Sequence, residues 1–165
     1  MSDTLTINTV LAQQILDTFK KNPERHAQST WGEFIGWNEL DRLTALGPER
    51  KLTREEEDCN TTCCVAGYAA LITGNAYFTT HNKRLMIAEG TPEAPEEDWK
   101  GLGARLLGLP SEEAHRLFFD TTDDQAVAAL EYLVRGELPD WKEVGWDGMA
   151  DDDDEDEDRC PCGFC

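Results

Sequence analysis

Three cysteines near the middle of the chain are the first residues whose spacing suggests chemistry: Cys59, Cys63 and Cys64. A thiol at a helix N-terminus has a lowered pKa, so Cys63 or Cys64 suits a nucleophile or a metal ligand. A helix-start cysteine with a strand histidine such as His81 is the arrangement of a Cys–His hydrolase. Because Val-Ala-Gly follows Cys64, we prefer a small buried residue that packs a central helix. Zinc binding by Cys59 and Cys64, catalysis, and a disulfide between those two residues stay open as alternatives.

Three further cysteines lie within the last six residues, at Cys160, Cys162 and Cys165. Three thiols this close can supply three ligands to a tetrahedral Zn²⁺, and Pro161 and Gly163 permit the tight bends that chelation needs. Structural zinc sites usually have two well-separated ligand pairs, so we prefer a flexible, redox-sensitive tail. Zinc is the one cofactor that the sequence suggests.

Eight consecutive acids precede that group: Asp151, Asp152, Asp153, Asp154, Glu155, Asp156, Glu157 and Asp158. Their mutual repulsion predicts a disordered segment. The run lacks the glycine and spacing of an EF-hand loop, so defined calcium binding is not expected. It can instead cover a basic surface on a partner protein.

The net charge of −19 limits the kinds of partner. It repels phosphate backbones and anionic lipid surfaces, so direct nucleic-acid binding and membrane association are not expected. Basic protein surfaces are the natural partners, unless the acidity only maintains solubility. An acidic body can also imitate a nucleic acid and inhibit a DNA-binding protein. Residues 1 to 4 lack a secretory signal, and no stretch is apolar enough for a membrane span, so we expect a cytoplasmic protein.

Hydrophobic periodicity predicts a mainly α fold with a small β-hairpin, an α+β domain over residues 4 to 146, followed by an acidic, Cys-ended tail over residues 147 to 165. The hairpin is expected to join strands near residues 77 to 80 and 84 to 87. Helices are expected over residues 8 to 21, with Asn8 as the N-cap and a stop at Asn22-Pro23, and from a cap at Thr61 or Thr62 to Thr73. Further helices are expected over residues 96 to 107, from a cap at Ser111 onward, and from a capping box at Thr122 to about Arg135.

Regions outside these elements are assigned from their composition. Between residues 31 and 37 the large apolar side chains are too many for a free loop, so this stretch should pack on the core: Trp31, Phe34, Ile35 and Trp37. Trp141 and Trp146 are expected to fold back on the domain. His26 and His115 lack ligand spacing and are interpreted as surface or satisfied structural residues. The chain has no phosphate-binding glycine loop, H-E-x-x-H or G-x-S-x-G, which disfavours an ordinary nucleotide- or metal-dependent enzyme.

Three segments between residues 5 and 135 carry a resemblance to a known family. They are Asn22-Pro23-Glu24-Arg25-His26 with Gln28-Ser29-Thr30-Trp31, Cys59 with Thr61-Thr62 and Cys64-Val65-Ala66-Gly67-Tyr68-Ala69, and Leu106-Leu107-Gly108-Leu109 with Glu113-Ala114 and Leu117-Phe118. With them the chain resembles a family of small uncharacterised proteins of actinobacteria and their bacteriophages. The resemblance implies a compact helical body with a small β element, a phage setting, and no established activity. Our leading hypothesis is therefore a non-enzymatic accessory protein that binds and modulates a host protein.

Overall fold

The computed structural model describes residues 6–58, 61–88 and 98–146. Within these ranges there are seven α-helices and a four-stranded antiparallel sheet, and six of the helices contribute side chains to one hydrophobic core. The predicted fold class is confirmed, although the sheet is larger than a hairpin. Residues 147–165, where the sequence predicts the acidic tail, lie outside the described residues.

Helix α1 spans Thr9–Lys21 and confirms the first predicted helix. Asn8 caps it, because the side-chain oxygen of Asn8 accepts a hydrogen bond from the backbone N–H of Leu11 at 3.1 Å. Its apolar face is buried and packs on the last helix, α7. Past Asn22 the chain makes a single 3-10 turn at Pro23–Arg25, so the predicted stop at Asn22-Pro23 is also confirmed.

Strand β1 (Glu33–Phe34) and helix α2 (Trp37–Ala45) follow. The prediction that this stretch packs on the core is confirmed for Phe34 and wrong for Ile35, which is 42% exposed. Phe34 is fully buried and meets Phe78 edge-on, with the ring centroids 6.2 Å apart. A short helix α3 (Arg54–Asp58) follows in the largely exposed, glutamate-rich region.

The central helix begins later than the sequence predicts, and the expected cap at Thr61 or Thr62 is wrong. Those two residues form strand β2 and pair with β1 in the register Glu33↔Thr62 and Phe34↔Thr61. Threonine is β-branched and favours strands, and here a distant strand supplies the ladder. Helix α4 is therefore Val65–Ile72, with Cys64 as its N-cap.

Two longer strands form the predicted hairpin, β3 (Ala76–Thr79) and β4 (Asn82–Ile87). Their antiparallel register, with Tyr77 opposite Met86, confirms it. The sheet order is β2-β1-β4-β3, so β1 joins the hairpin to the strand that leads into α4.

Three helices complete the chain: α5 (Trp99–Leu107), α6 (Ser111–Phe119) and α7 (Asp123–Val134). Ser111 is the first residue of α6 and makes no capping bond, so its predicted role as a cap is wrong. The predicted capping box at the start of α7 is confirmed, because Thr122 and Gln125 each bond the backbone N–H of the other. Trp141 folds back as expected and donates its indole N–H to Glu113 at 2.7 Å.

Candidate functional site

The two cysteines at the start of α4 are buried in the core. Cys63 and Cys64 are 0% exposed, and the Cys64 sulfur accepts a hydrogen bond from the N–H of Gly67 at 3.4 Å. Desolvation by burial raises the pKa of Cys64 to about 12 and also raises the pKa of Cys63. The predicted lowering by the helix dipole is therefore wrong, and the preferred interpretation of Cys64 as a small buried residue is confirmed.

His81 does not complete a catalytic pair with either thiol. It lies exposed in the turn between β3 and β4, where its Nδ1 is 3.1 Å from the hydroxyl of Thr80. Within residues 6–58, 61–88 and 98–146, neither Cys63 nor Cys64 shares a hydrogen bond with an imidazole.

The predicted metal ligands fall mostly outside the structure. No group of three or more His, Cys, Asp or Glu side chains that could hold a metal ion occurs in the part of the chain that the structure describes. The other four predicted ligands lie outside that part: Cys59, Cys160, Cys162 and Cys165. The acidic run, residues 151–158, also lies outside it. A zinc site in the tail, and partner binding by the acids, stay predictions.

Gln28 joins the beginnings of two helices to the end of a third. Its backbone N–H donates to Oδ1 of Asp123 at 2.7 Å, and its side-chain Nε2 donates to the carbonyl of Leu117 at 2.6 Å. Its Oε1 accepts from the N–H of Val65 at 3.4 Å and lies 3.0 Å from Nε2 of His26. Every polar group of this buried side chain is thus satisfied, which fixes its orientation.

His26 is a satisfied structural residue, one of the two roles the sequence predicts for it. Its ring stacks on Phe19 with the centroids 3.7 Å apart and is buried. Burial lowers the pKa of His26, and the Gln28 hydrogen bond and the charge of Asp123 only partly oppose this shift. The neutral ring donates its Nε2–H to Gln28. His115 is exposed, with its ring 4.9 Å from that of Phe119.

A cavity of about 360 Å³ opens beside Gln28. We call it the Trp31 pocket; it is lined by Gln28, Ser29, Thr30, Trp31, Phe118, Phe119, Thr121, Thr122 and Asp123. Its walls come from the segment before β1, from the end of α6 and from the start of α7. Such a part-apolar concavity with a few convergent polar groups is the usual form of a binding site.

The apolar wall of the pocket is a cluster of aromatic rings. Trp31 stacks on Trp99 with centroids 6.0 Å apart and meets Phe119 edge-on at 5.3 Å. Phe119 is 46% exposed, whereas Phe118 is buried. A Cβ on Gly67 would lie 1.6 Å from the carbonyl oxygen of Trp31. Only glycine at this position therefore allows the segment around Trp31 to pack on α4.

Among the described residues that line the pocket, Asp123 is the one that carries a charge. One of its carboxylate oxygens is held by the backbone N–H of Gln28, yet its side chain is 56% exposed. The carboxylate is therefore fixed in orientation and remains open to a ligand.

Two other cavities are less suited to a partner. One, of about 460 Å³, contains Arg25 and Arg54, but Asp17 and Glu57 line it too, so its formal charges cancel. The Arg25 guanidinium lies over the ring of Tyr68 and donates to Thr61, which are contacts within the fold. The other cavity, of about 920 Å³, is more open and lies between Trp141 and Trp146.

Sequence reasoning missed this pocket, although one signal was available. Phe118 and Phe119 are adjacent in a helix, where neighbouring side chains point about 100° apart and cannot both face one core. One of them had to face a groove or solvent. Nothing local points to Gln28, because its partners lie up to 95 residues away.

No family model, curated protein or solved structure matches this chain. No helix in the described ranges is both long enough and apolar enough to span a membrane.

Proposed function

We propose that this protein is a non-enzymatic, phage-encoded accessory protein that binds and modulates a host protein with a basic surface. The single observation that carries the proposal is the Trp31 pocket, in which an aromatic wall meets one exposed carboxylate. The phage setting comes from the family resemblance, and the preference for a basic partner comes from the net charge of −19.

The aromatic wall supports protein binding because of how it is exposed. Binding energy at protein interfaces concentrates on a few aromatic and arginine side chains that fit pockets. Phe119 leaves almost half of its surface in water while its neighbour Trp31 is partly buried against Trp99. A partner that covers Phe119 removes apolar surface from water without disturbing the core.

The pocket is also held in place before a partner arrives. Gln28 bonds to α4, α6 and α7, and the capping box closes the start of α7. Groups that are already ordered lose little conformational entropy on binding, so more of the contact energy remains as affinity.

The test is a pull-down from host lysate at low and moderate salt with the full chain, its Phe119→Ala variant and its Leu46→Ala variant. Leu46 is a matched control, because it is a large apolar side chain, 70% exposed, that does not line the pocket. We expect one host protein to be recovered in a salt-sensitive way, lost with Phe119→Ala and kept with Leu46→Ala. Recovery that is equal for all three proteins, or no salt-sensitive partner, would contradict the proposal. Equal melting temperatures will establish that both variants are folded.

A further inference from the structure

We infer that the Trp31 pocket binds an arginine side chain of the partner, with its guanidinium paired to Asp123 and stacked on the aromatic wall. This inference rests on the proposed function and adds the chemical identity of the group that is recognised.

The charge in the pocket selects a cation. Within the part of the lining that the structure describes, Asp123 alone is charged, and its side chain is 56% exposed. Among the described residues, His26 is the basic group within 4 Å of this carboxylate, with Nε2 at 3.9 Å from Oδ1, but burial lowers the pKa of His26 and favours its neutral form. The carboxylate charge is therefore not neutralised from within the pocket.

The start of α7 does not convert the pocket into an anion site. The positive end of a helix dipole attracts anions, but Asp123 and Asp124 already occupy the first turn of α7. The capping box supplies an acceptor for the N–H of Gln125, which an anion would otherwise bind. A phosphate at this helix start would therefore be repelled by the two carboxylates of the first turn.

The aromatic wall favours arginine over lysine. A guanidinium is planar and weakly hydrated, so it stacks on an aromatic face while its N–H fork meets a carboxylate. A lysine ammonium is a compact, strongly hydrated charge and cannot stack in this way. The hydroxyls of Ser29 and Thr121 also line the pocket and can accept from the remaining N–H groups.

The same three-part arrangement occurs elsewhere within this fold. The guanidinium of Arg116 lies 5.3 Å from the ring centroid of Trp146, and its Nη1 is 3.5 Å from a carboxylate oxygen of Glu113. In the Trp31 pocket, the ring and the carboxylate are present and the arginine is the missing part. A volume of about 360 Å³ is near the lower end for ligand pockets and suits one side chain.

The experiment titrates the full chain with the blocked tripeptide Gly-Arg-Gly, followed through amide and indole NMR signals. Two matched peptides replace arginine by lysine or by citrulline, which keeps the shape and removes the charge. We expect the arginine peptide to shift the Gln28 amide and the Trp31 indole, and citrulline to bind about tenfold more weakly, since one charge-assisted pair is lost. The absence of shifts at these two signals up to about 10 mM peptide overturns the inference, because a site with a dissociation constant of about 10 mM would be half filled at that concentration.

Two variants locate the contact. Asp123→Asn removes the charge but keeps an oxygen that can accept from Gln28, so the fold is preserved. Asp124→Asn removes the same charge one residue away, outside the pocket lining. We expect about a tenfold loss of arginine-peptide affinity for Asp123→Asn and less than about twofold for Asp124→Asn. Equal losses, or equal binding of arginine and citrulline, overturn the inference. If Phe119→Ala abolishes host-protein capture while Asp123→Asn leaves it unchanged, the proposed function stands and the arginine site fails.

Discussion

Helices α4 and α7 both begin beside Gln28, yet their N-termini have opposite properties. Gln28 accepts from the N–H of Val65 at the start of α4, and its own N–H donates to Asp123 at the start of α7. The start of α4 is closed inside the core, with Cys64 at 0% exposure. The start of α7 is open to solvent and forms part of the Trp31 pocket.

The comparison teaches that a helix N-terminus has no fixed chemistry of its own. At α4 the dipole would lower the pKa of a thiol, but the loss of water outweighs it and raises the pKa of Cys64 to about 12. At α7 water reaches the start of the helix, and the Asp123 side chain is 56% exposed and accessible to a partner. Packing around each start therefore decides whether it can react or bind.

The largest loss of stability is expected from filling the space beside Gly67, where the segment around Trp31 packs on α4. In Gly67→Ala, the new Cβ would lie 1.6 Å from the carbonyl oxygen of Trp31, so the backbone must move. We expect a loss of at least about 3 kcal/mol in the free energy of unfolding, measured by urea denaturation. Val10→Ala, on the exposed face of α1, should change it by less than about 0.5 kcal/mol. A loss below about 1 kcal/mol for Gly67→Ala would show that the contact is not tight.

The second largest loss of stability is expected from removing the side-chain hydrogen bonds of Gln28, which lies between the starts of α4 and α7. Gln28→Leu keeps the size of the side chain but leaves the carbonyl of Leu117 and the N–H of Val65 without this partner. We expect a loss of about 2 to 4 kcal/mol in the free energy of unfolding, again by urea denaturation. Gln13→Leu is the matched control, since the Gln13 side chain is exposed and donates to Asp17 within the same helix. A loss no larger than that of the control would mean that the network does not hold the helices together.

A smaller loss of stability, which depends on pH, is expected at the buried start of α4 and not at the exposed start of α7. The pKa of the Cys64 thiol rises from an ordinary 9.0 to about 12 on folding, so the folded state keeps a proton that the unfolded state releases. The contribution of the protonated thiol to the free energy of unfolding is complete below pH 9. It is lost as the pH rises from 9 towards 12, by about 1.4 kcal/mol per pH unit. Denaturation at pH 8 and pH 10 should show a steeper decline for the natural chain than for Cys64→Ser. Parallel declines would indicate that the thiol is not desolvated.

The smallest loss of stability is expected from a change at the exposed start of α7. Thr122→Ala removes the hydroxyl that caps Gln125, which should cost about 1 kcal/mol in the free energy of unfolding, because water can replace it there. Thermal or urea unfolding will measure it. Thr18→Ala, in the middle of α1 where the hydroxyl bonds back to Gln14, should have no cost. A loss above about 3 kcal/mol for Thr122→Ala would mean that α7 begins in the core as α4 does.

Local patterns in the sequence were sufficient to predict many of the helix ends. The cap at Asn8, the stop at Asn22-Pro23 and the capping box before α7 each depend on residues within four positions of one another. The start of α4 was misplaced because Thr61 and Thr62 pair with Glu33 and Phe34, about 28 residues earlier. A pairing across that distance leaves no local signal.

The candidate site was beyond the reach of the sequence for a similar reason. The reactivity expected of Cys63 and Cys64 came from a local dipole, whereas their burial depends on the whole core. The pocket brings together Trp31 and Asp123, which are far apart in the chain. The sequence assigned Trp31 to the core, whereas in the structure it is only partly buried and lines the pocket.

The hydrogen bond from Gln28 to Asp123 has a thermodynamic consequence. It spans 95 residues and joins elements that meet only when α1, α4 and α7 are assembled. The Trp31 pocket is therefore absent from the denatured ensemble, and a ligand that fills it binds the native state alone. By linkage, a ligand present at one hundred times its dissociation constant should raise global stability by about 2.7 kcal/mol. Amide hydrogen exchange in α4, on the far side of Gln28, should slow along with exchange at the pocket itself.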